Sequence, residues 1–199
     1  MRRTLPQVLP YIYLVAGVVG VVASFALTYD KLKVLQNPHF QPGCNINPVL
    51  SCGSVMKTQQ ASLLGVPNTI FGLVAFSMLT MLAVVLLAGA TLKKWLWLAI
   101  NAGALGGFLF FIYLYFQAVF RIKAICPYCF TVWLVVPPVA WYTTLYNLRE
   151  GNINLKPYSF SAGIWLQKHH GDILALWYVV FFGLLLHEFW YYWKTLLPL

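Results

Sequence analysis

Residues 126–148 read CPYCFTVWLVVPPVAWYTTLYNL, a Cys-x-x-Cys motif that opens an apolar run long enough to cross a membrane. A polar turn containing Arg121 and Lys123 precedes the motif. The chain has four cysteines in all, and the other two, Cys44 and Cys52, lie together in one polar segment far upstream. The arrangement of these two pairs organises the rest of the sequence.

The composition indicates a membrane protein. Hydrophobic residues make up 61% of the 199 residues and charged residues 9%, with a mean hydropathy of +0.75. Soluble domains carry about a quarter charged residues, so we predict an all-α integral membrane protein. The net charge of +9 comes from Lys and Arg in short connecting segments, which suits topology and lipid headgroups and argues against nucleic-acid binding.

Hydropathy predicts five membrane-spanning helices. We expect one membrane domain over residues 1–199, with a four-helix core over about 8–148 and an extra fifth helix. The basic start could mark a secretory signal, but its apolar run is too long, so we expect an uncleaved first span. The predicted spans cover about 8–29, 68–90, 95–120, 126–148 and 172–193.

Two features inside these spans carry expectations about packing. Gly103 and Gly107 stand four residues apart in the third span and predict a close approach of another helix. Pro137 and Pro138 in the fourth span predict a kink, because proline removes a backbone donor and clashes with the preceding turn. The polar segment 30–67 predicts a loop with a short surface helix near residues 51–62.

The order of spans brings all four cysteines to one membrane face. Segment 30–67 follows the first span and the turn at Arg121 follows the third, so both open on the same side. The distribution of Lys and Arg barely favours a cytoplasmic amino terminus. The shared face follows whichever way the chain inserts.

Position at a helix start makes Cys126 a candidate reactive thiol. Unpaired N–H groups and the helix dipole favour a thiolate there, and Pro127 suits the first helical position. We interpret the four sulfurs as one electron path, from a dithiol substrate through Cys44 and Cys52 to Cys126 and Cys129. Because no nucleotide, haem or iron–sulfur motif is present, a lipid-soluble quinone is the expected acceptor. A structural Cys44–Cys52 disulfide and, third, a four-cysteine zinc site stay open.

At these residues the sequence resembles the bacterial form of the vitamin K epoxide reductase family, over roughly residues 10–147. The resemblance rests on the order and spacing of four pieces. These are Cys44-Asn-Ile-Asn-Pro-Val-Leu-Ser51-Cys52, then Thr58, then Asn68-Thr-Ile-Phe-Gly72, and Cys126-Pro-Tyr-Cys129.

The resemblance implies roles for these residues and a place in the cell. Cys129 would react with a quinone of the menaquinone or ubiquinone type, Cys52 would attack Cys126, and Cys44 would exchange with a thioredoxin-fold partner. Asn68 and Thr58 match positions near the quinone. The implied location is the inner cell membrane, with the amino terminus cytoplasmic and the cysteines outside.

The sequence also departs from the family pattern. Trp133 stands where vertebrate members carry a quinone-binding tyrosine, and an indole donates but does not accept a hydrogen bond. Reduction of vitamin K epoxide is therefore an alternative reading rather than the main one, as is a scaffold with structural disulfides. Asn45 replaces an acidic residue, and a fused thioredoxin-like domain is missing, so we expect a separate partner. In the other bacterial family of quinone-linked disulfide oxidases, the Cys-x-x-Cys pair lies in the first external loop and the wide pair in the second. The order in this chain is the opposite, which argues against that family.

The last span holds two ionisable residues, His187 and Glu188, near an aromatic belt that ends at Trp193. A proton relay is conceivable for residues of this kind inside a membrane. Because they lie only about one to two turns from the belt, interfacial snorkelling is favoured instead, and we leave them out of the predicted site.

Overall fold

A computed structural model describes residues 5–37, 39–47, 49–63, 65–153 and 157–196. Within these ranges the chain is helical and contains no strand beyond a single parallel bridge between Leu50 and Ile125. Five helices are long and apolar enough to cross a membrane. They are α1 (Leu5–Gln36), α3 (Asn68–Leu87), α4 (Lys94–Phe116), α5 (Pro127–Arg149) and α7 (His170–Glu188). The all-α membrane fold with a fifth span is therefore confirmed.

Shorter elements lie between the spans. A surface helix, α2 (Cys52–Met56), and a 3-10 turn (Gln59–Ser62) occupy the region where a short helix was predicted. α4 continues as a π-helical turn (Gln117–Ile122). Beyond the core follow α6 (Pro157–Lys168), between the fourth and fifth spans, and α8 (Trp190–Leu196), which overlaps the end of the predicted last span.

The first span is longer than its apolar run. α1 continues to Gln36, although hydropathy placed its end near Tyr29. The added turns carry Asp30 and Lys33, which a helix end can present to water without loss of backbone hydrogen bonds. The loop that carries two of the cysteines therefore starts at residue 37, and we call residues 37–67 the cysteine loop.

Close helix packing occurs between α1 and α3 rather than on α4. A Cβ atom at Gly17 or Gly20 would overlap Thr80 or Phe76 of α3. At Gly17 the missing Cβ lets the α3 backbone approach at Thr80, and at Gly20 it leaves room for the Phe76 ring. The prediction for α4 was wrong, because no described atom lies within 4 Å of a Cβ built at Gly103.

The fifth span is tied to the four-helix core by backbone carbonyls. α5 is continuous across Pro137 and Pro138, which have no N–H to bond the carbonyls one turn earlier. The hydroxyl of Tyr178 on α7 donates to the freed carbonyl of Leu134, at 2.5 Å. Since an unpaired carbonyl is costly inside a membrane, this bond lets α5 tolerate the proline pair.

One end of the bundle holds a closed network of buried polar side chains, which we call the polar end. The Tyr13 hydroxyl lies 2.6 Å from that of Thr143, which donates in turn to the carbonyl of Val139. Asn147 is fully buried and donates to the carbonyls of Trp97 and Thr143, at 3.3 and 3.0 Å. These bonds link α1, α4 and α5 where they are farthest from the cysteines.

Candidate active site

All four cysteines gather at the opposite end of the bundle, which we call the sulfur end. Two backbone hydrogen bonds join the cysteine loop to the segment that leads into α5. The N–H of Ile125 donates to the carbonyl of Val49 at 2.7 Å, and the N–H of Ser51 donates to the carbonyl of Ile125 at 3.0 Å. These bonds set Cys52 directly beside Cys126.

The sulfur atoms form a contiguous chain. Cys44 and Cys52 are joined in a disulfide with a Cα–Cα distance of 5.7 Å. The Sγ atom of Cys52 lies 3.2 Å from that of Cys126, so the two are in van der Waals contact. Cys126 and Cys129 are both free thiols. The structure therefore represents a state with the loop pair oxidised and the helix pair reduced.

The start of α5 favours ionisation of Cys126. Cys126 caps the helix and Pro127 occupies one of its first positions, as the sequence indicated. A hydrogen bond from the Cys129 side chain lowers the pKa of Cys126, and backbone N–H groups of Cys129 and Tyr128 lower it further against the opposing effect of burial. A thiolate at Cys126 is both a good nucleophile and a good leaving group.

Asn45 accepts two hydrogen bonds from the residues on either side of Cys52. Its Oδ1 accepts from the backbone N–H of Gly53 at 2.9 Å and from the hydroxyl of Ser51 at 3.1 Å. Ser51 caps α2 and accepts from the N–H of Ser54. The amide of Asn45 thus fixes the start of the helix that carries Cys52, and a Cβ at Gly53 would come within 2.9 Å of Asn45 Nδ2.

A mostly apolar cavity of about 90 Å³, which we call the relay cavity, lies beside these sulfurs. Six of the seven predicted site residues line it, and Cys44 does not. The six are Cys52, Thr58, Asn68, Cys126, Cys129 and Trp133. Apolar walls with a few polar groups are typical of sites for small organic ligands.

The polar groups of the relay cavity already take part in the local fold. The Nδ2 atom of Asn68 donates to the carbonyl of Gln60 at 2.6 Å, and its Oδ1 accepts from the N–H of Leu63. The Thr58 hydroxyl donates to the carbonyl of Val55 at 2.8 Å. Asn68 keeps one N–H free for a ligand, while Thr58 keeps only acceptor capacity.

Trp133 is a wall of the cavity and part of the core. It is 4% exposed and packs edge-on to Tyr115 and Phe181, with ring centroids 5.2 and 6.3 Å away. The hydroxyl of Tyr115 donates to the carbonyl of Phe181 at 2.9 Å. The fifth span, through Phe181, therefore packs against Trp133.

Two acidic residues of the sulfur end have partners that the sequence analysis did not identify. Asp30 Oδ2 lies 3.8 Å from Cys44 Sγ. Glu188 forms an ion pair with Lys123, three residues before Cys126. Lys123 has a left-handed backbone (φ 58°), unusual for a residue other than glycine. An acidic residue directly after an apolar run was the one available signal for Asp30.

A second, polar cavity of about 370 Å³ lies on the outer side of the cysteine loop, and we call it the loop groove. His39, Phe40 and Lys57 line it, together with Asn45 and both neighbours of Cys52. Lys33 Nζ lies 5.8 Å from the centre of the Phe40 ring. The groove therefore adjoins the loop disulfide, and Lys57 and Lys33 place positive charge beside it.

Comparison with known proteins gives one family. A sequence model described as "Vitamin K epoxide reductase family" matches residues 11–144, about two thirds of the chain. The matched span runs from α1 to the end of α5 and includes every residue of the predicted site. A search of curated proteins finds no significant match.

Proposed function

The chain belongs to the vitamin K epoxide reductase family, and we propose that it carries electrons from an extracytoplasmic thioredoxin-fold protein to a membrane quinone, thereby supporting disulfide formation. Membership itself gives the general class, a membrane disulfide oxidoreductase linked to quinones. The observation that carries the finer proposal is the 3.2 Å contact between Cys52 Sγ and Cys126 Sγ. It joins a disulfide and a dithiol into one exchange path.

The proposed route consists of two-electron thiol–disulfide exchanges. A partner thiolate attacks Cys44 and breaks its bond to Cys52, and the second partner thiol then releases Cys44 and leaves the partner oxidised. With the helix pair oxidised, the Cys52 thiolate attacks Cys126 and releases Cys129. Cys44 then attacks Cys52, restores the loop disulfide and releases Cys126. At the end of this sequence the loop pair is oxidised and the helix pair is reduced, ready to be oxidised again.

The relay cavity is the proposed quinone site. A quinone of the menaquinone or ubiquinone type accepts two electrons and two protons there. Cys129 lines the cavity, Asn68 offers an N–H, and the indole of Trp133 can donate but not accept. The apolar side chains of the lining, such as Leu27, Leu114 and Ile122, suit a lipid-soluble ring.

The proposed partner docks on the loop side. The loop groove adjoins the Cys44–Cys52 disulfide and lies outside the apolar spans. The positive charges of Lys57 and Lys33 favour a partner with acidic residues beside its reactive cysteine. We propose the inner cell membrane as the location, with the amino terminus cytoplasmic and the cysteines outside, where disulfides persist.

The test is to trap the relay with Cys129→Ser in purified protein. Quinone reduction driven by a reduced thioredoxin-fold partner should fall to background, because Cys126 has no disulfide partner on its own helix. The Cys126 thiolate should instead attack Cys52 and accumulate a Cys52–Cys126 disulfide, which peptide mapping under non-reducing conditions detects.

Cys126→Ser is the matched control for this experiment. It should also lose turnover but retain the Cys44–Cys52 disulfide alone, because no thiol remains in contact with Cys52. Normal quinone reduction by Cys129→Ser would refute the proposed route, and finding only Cys44–Cys52 in that variant would count against the exchange step.

A further inference from the structure

We propose that Asp30 is the proton acceptor for Cys44 when the loop disulfide re-forms, a role that rests on the function proposed above. Asp30 lies on the part of α1 that extends past the apolar run, and its Oδ2 is 3.8 Å from Cys44 Sγ. With Cys44 in a disulfide, no proton lies between the two atoms. Once Cys44 is reduced, its thiol hydrogen faces a carboxylate oxygen within reach of a weak S–H···O bond.

Among the acidic side chains, all of which the structure describes, Asp30 is the one that faces the cysteines. The sequence has four acidic residues, and all four lie in the described part of the chain. Glu150 and Asp172 stand at the polar end, near Arg149 and His169, and Glu188 is paired with Lys123. The relay therefore has one acidic side chain free to exchange a proton with a sulfur.

The resolving step of the relay needs such a group. The Cys44 thiol attacks Cys52 of the Cys52–Cys126 disulfide, and only the thiolate is an effective nucleophile. In the proposed step the Cys44 proton passes to Asp30, the Cys44–Cys52 bond forms and the Cys52–Cys126 bond breaks. Cys44 is oxidised, Cys126 is reduced to a thiolate, and Asp30 later returns the proton to water.

Other charges near Asp30 suit this role. Lys33 on the same helix interacts favourably with the carboxylate, and Cys126 is close enough for the two negative charges to repel. Lys31 is engaged elsewhere, since its Nζ donates to the carbonyl of Met56 at 2.6 Å. Transfer of a proton to Asp30 neutralises its charge at the moment when a thiolate develops on Cys126. Protonated Asp30 therefore does not repel the new thiolate.

A single-turnover experiment separates this step from the rest of the relay. Fully reduced protein is mixed with one equivalent of a short-chain ubiquinone analogue, quenched in acid, alkylated and mapped for disulfides. In Asp30→Asn the helix pair should oxidise at the normal rate, but the Cys52–Cys126 disulfide should clear on the order of 100-fold more slowly. Clearance should accelerate as the pH rises, because Cys44 must then ionise without help.

The controls make each outcome decisive. Asp30→Glu keeps a carboxylate and should restore most of the rate, whereas Glu150→Gln removes a distant one and should behave as the unmodified protein. Normal oxidation of the helix pair also shows that a variant is folded. Equal clearance by Asp30→Asn at every pH would overturn the role of Asp30 and leave the relay standing. No oxidation of the helix pair in the unmodified protein would refute the proposed function itself.

Discussion

The two ends of the bundle use buried polar groups in opposite ways. At the polar end, Tyr13, Thr143 and Asn147 have partners on other helices and form bonds that have no reason to change. At the sulfur end, Cys52 is bonded to one sulfur and in contact with another, so its bond can move. The same four-helix frame therefore fixes helix register at one end and permits bond exchange at the other.

This difference predicts that stability and turnover can be lost separately. Asn147→Leu should lower the free energy of unfolding by about 1–3 kcal/mol, because the carbonyl of Trp97 loses its buried donor. Turnover per folded molecule should stay normal. Thermal unfolding in detergent measures the stability, and quinone reduction measures the turnover. Cys129→Ser should show the opposite result, with turnover lost and stability kept. A loss of turnover by Asn147→Leu at unchanged stability would contradict the comparison.

At the sulfur end, the hydrogen bond from Cys129 to Cys126 should affect how the reactivity of Cys126 depends on pH. The Cys129 side chain is the largest influence that lowers the pKa of Cys126. In fully reduced Cys129→Ala, where Cys126 is a free thiol, that bond is lost, the thiolate is less stable, and the pH at which Cys126 reacts with iodoacetamide should rise. Fully reduced Cys129→Ser keeps a hydroxyl donor and should show a smaller rise. Identical profiles in the two variants would show that the Cys129 donor is not the cause.

The ion pair between Lys123 and Glu188 connects the fifth span to the turn before Cys126. Their side chains are 45% and 19% exposed, so we expect a coupling energy of at most about 1 kcal/mol. Lys123→Met and Glu188→Gln should each reduce turnover a few-fold, and the double variant should be no worse than either alone. Lys94→Met, at the polar end, serves as the control. Additive losses would show that the two side chains act independently.

Much of this arrangement could be predicted from the sequence. Alternation of spans is enough to bring Cys44 and Cys52 to the same face as Cys126 and Cys129, because each span reverses the side. Hydropathy places most span ends to within a few residues, although α1 continues to Gln36, well past its predicted end. The start of α5 at Pro127 follows from proline's fit to the first helical turn.

What could not be predicted is which face of each span meets its neighbours. α3 and α4 are apolar all round, so their sequences do not say which side is buried. Close helix packing was predicted at the glycine pair of α4 that includes Gly103, whereas Gly17 and Gly20 of α1 provide it. The contacts of Asp30 and Glu188 were not predicted for a related reason. Their partners, Cys44 and Lys123, lie on other segments of the chain, and which residues meet depends on how each helix is rotated.

The loop groove extends the comparison to the surface, where the smallest effect is expected. Lys57→Glu reverses one charge of the groove and should raise the KM for an acidic thioredoxin-fold partner several-fold at low salt, equivalent to less than about 1.4 kcal/mol. The increase should shrink as salt is added, because exposed charges are screened. Turnover driven by dithiothreitol should not change, since a small dithiol needs no groove, and Lys93→Glu at the polar end should have no effect on either substrate. If Lys57→Glu altered dithiothreitol turnover instead, its effect would lie in the relay and the groove would lose its role in docking.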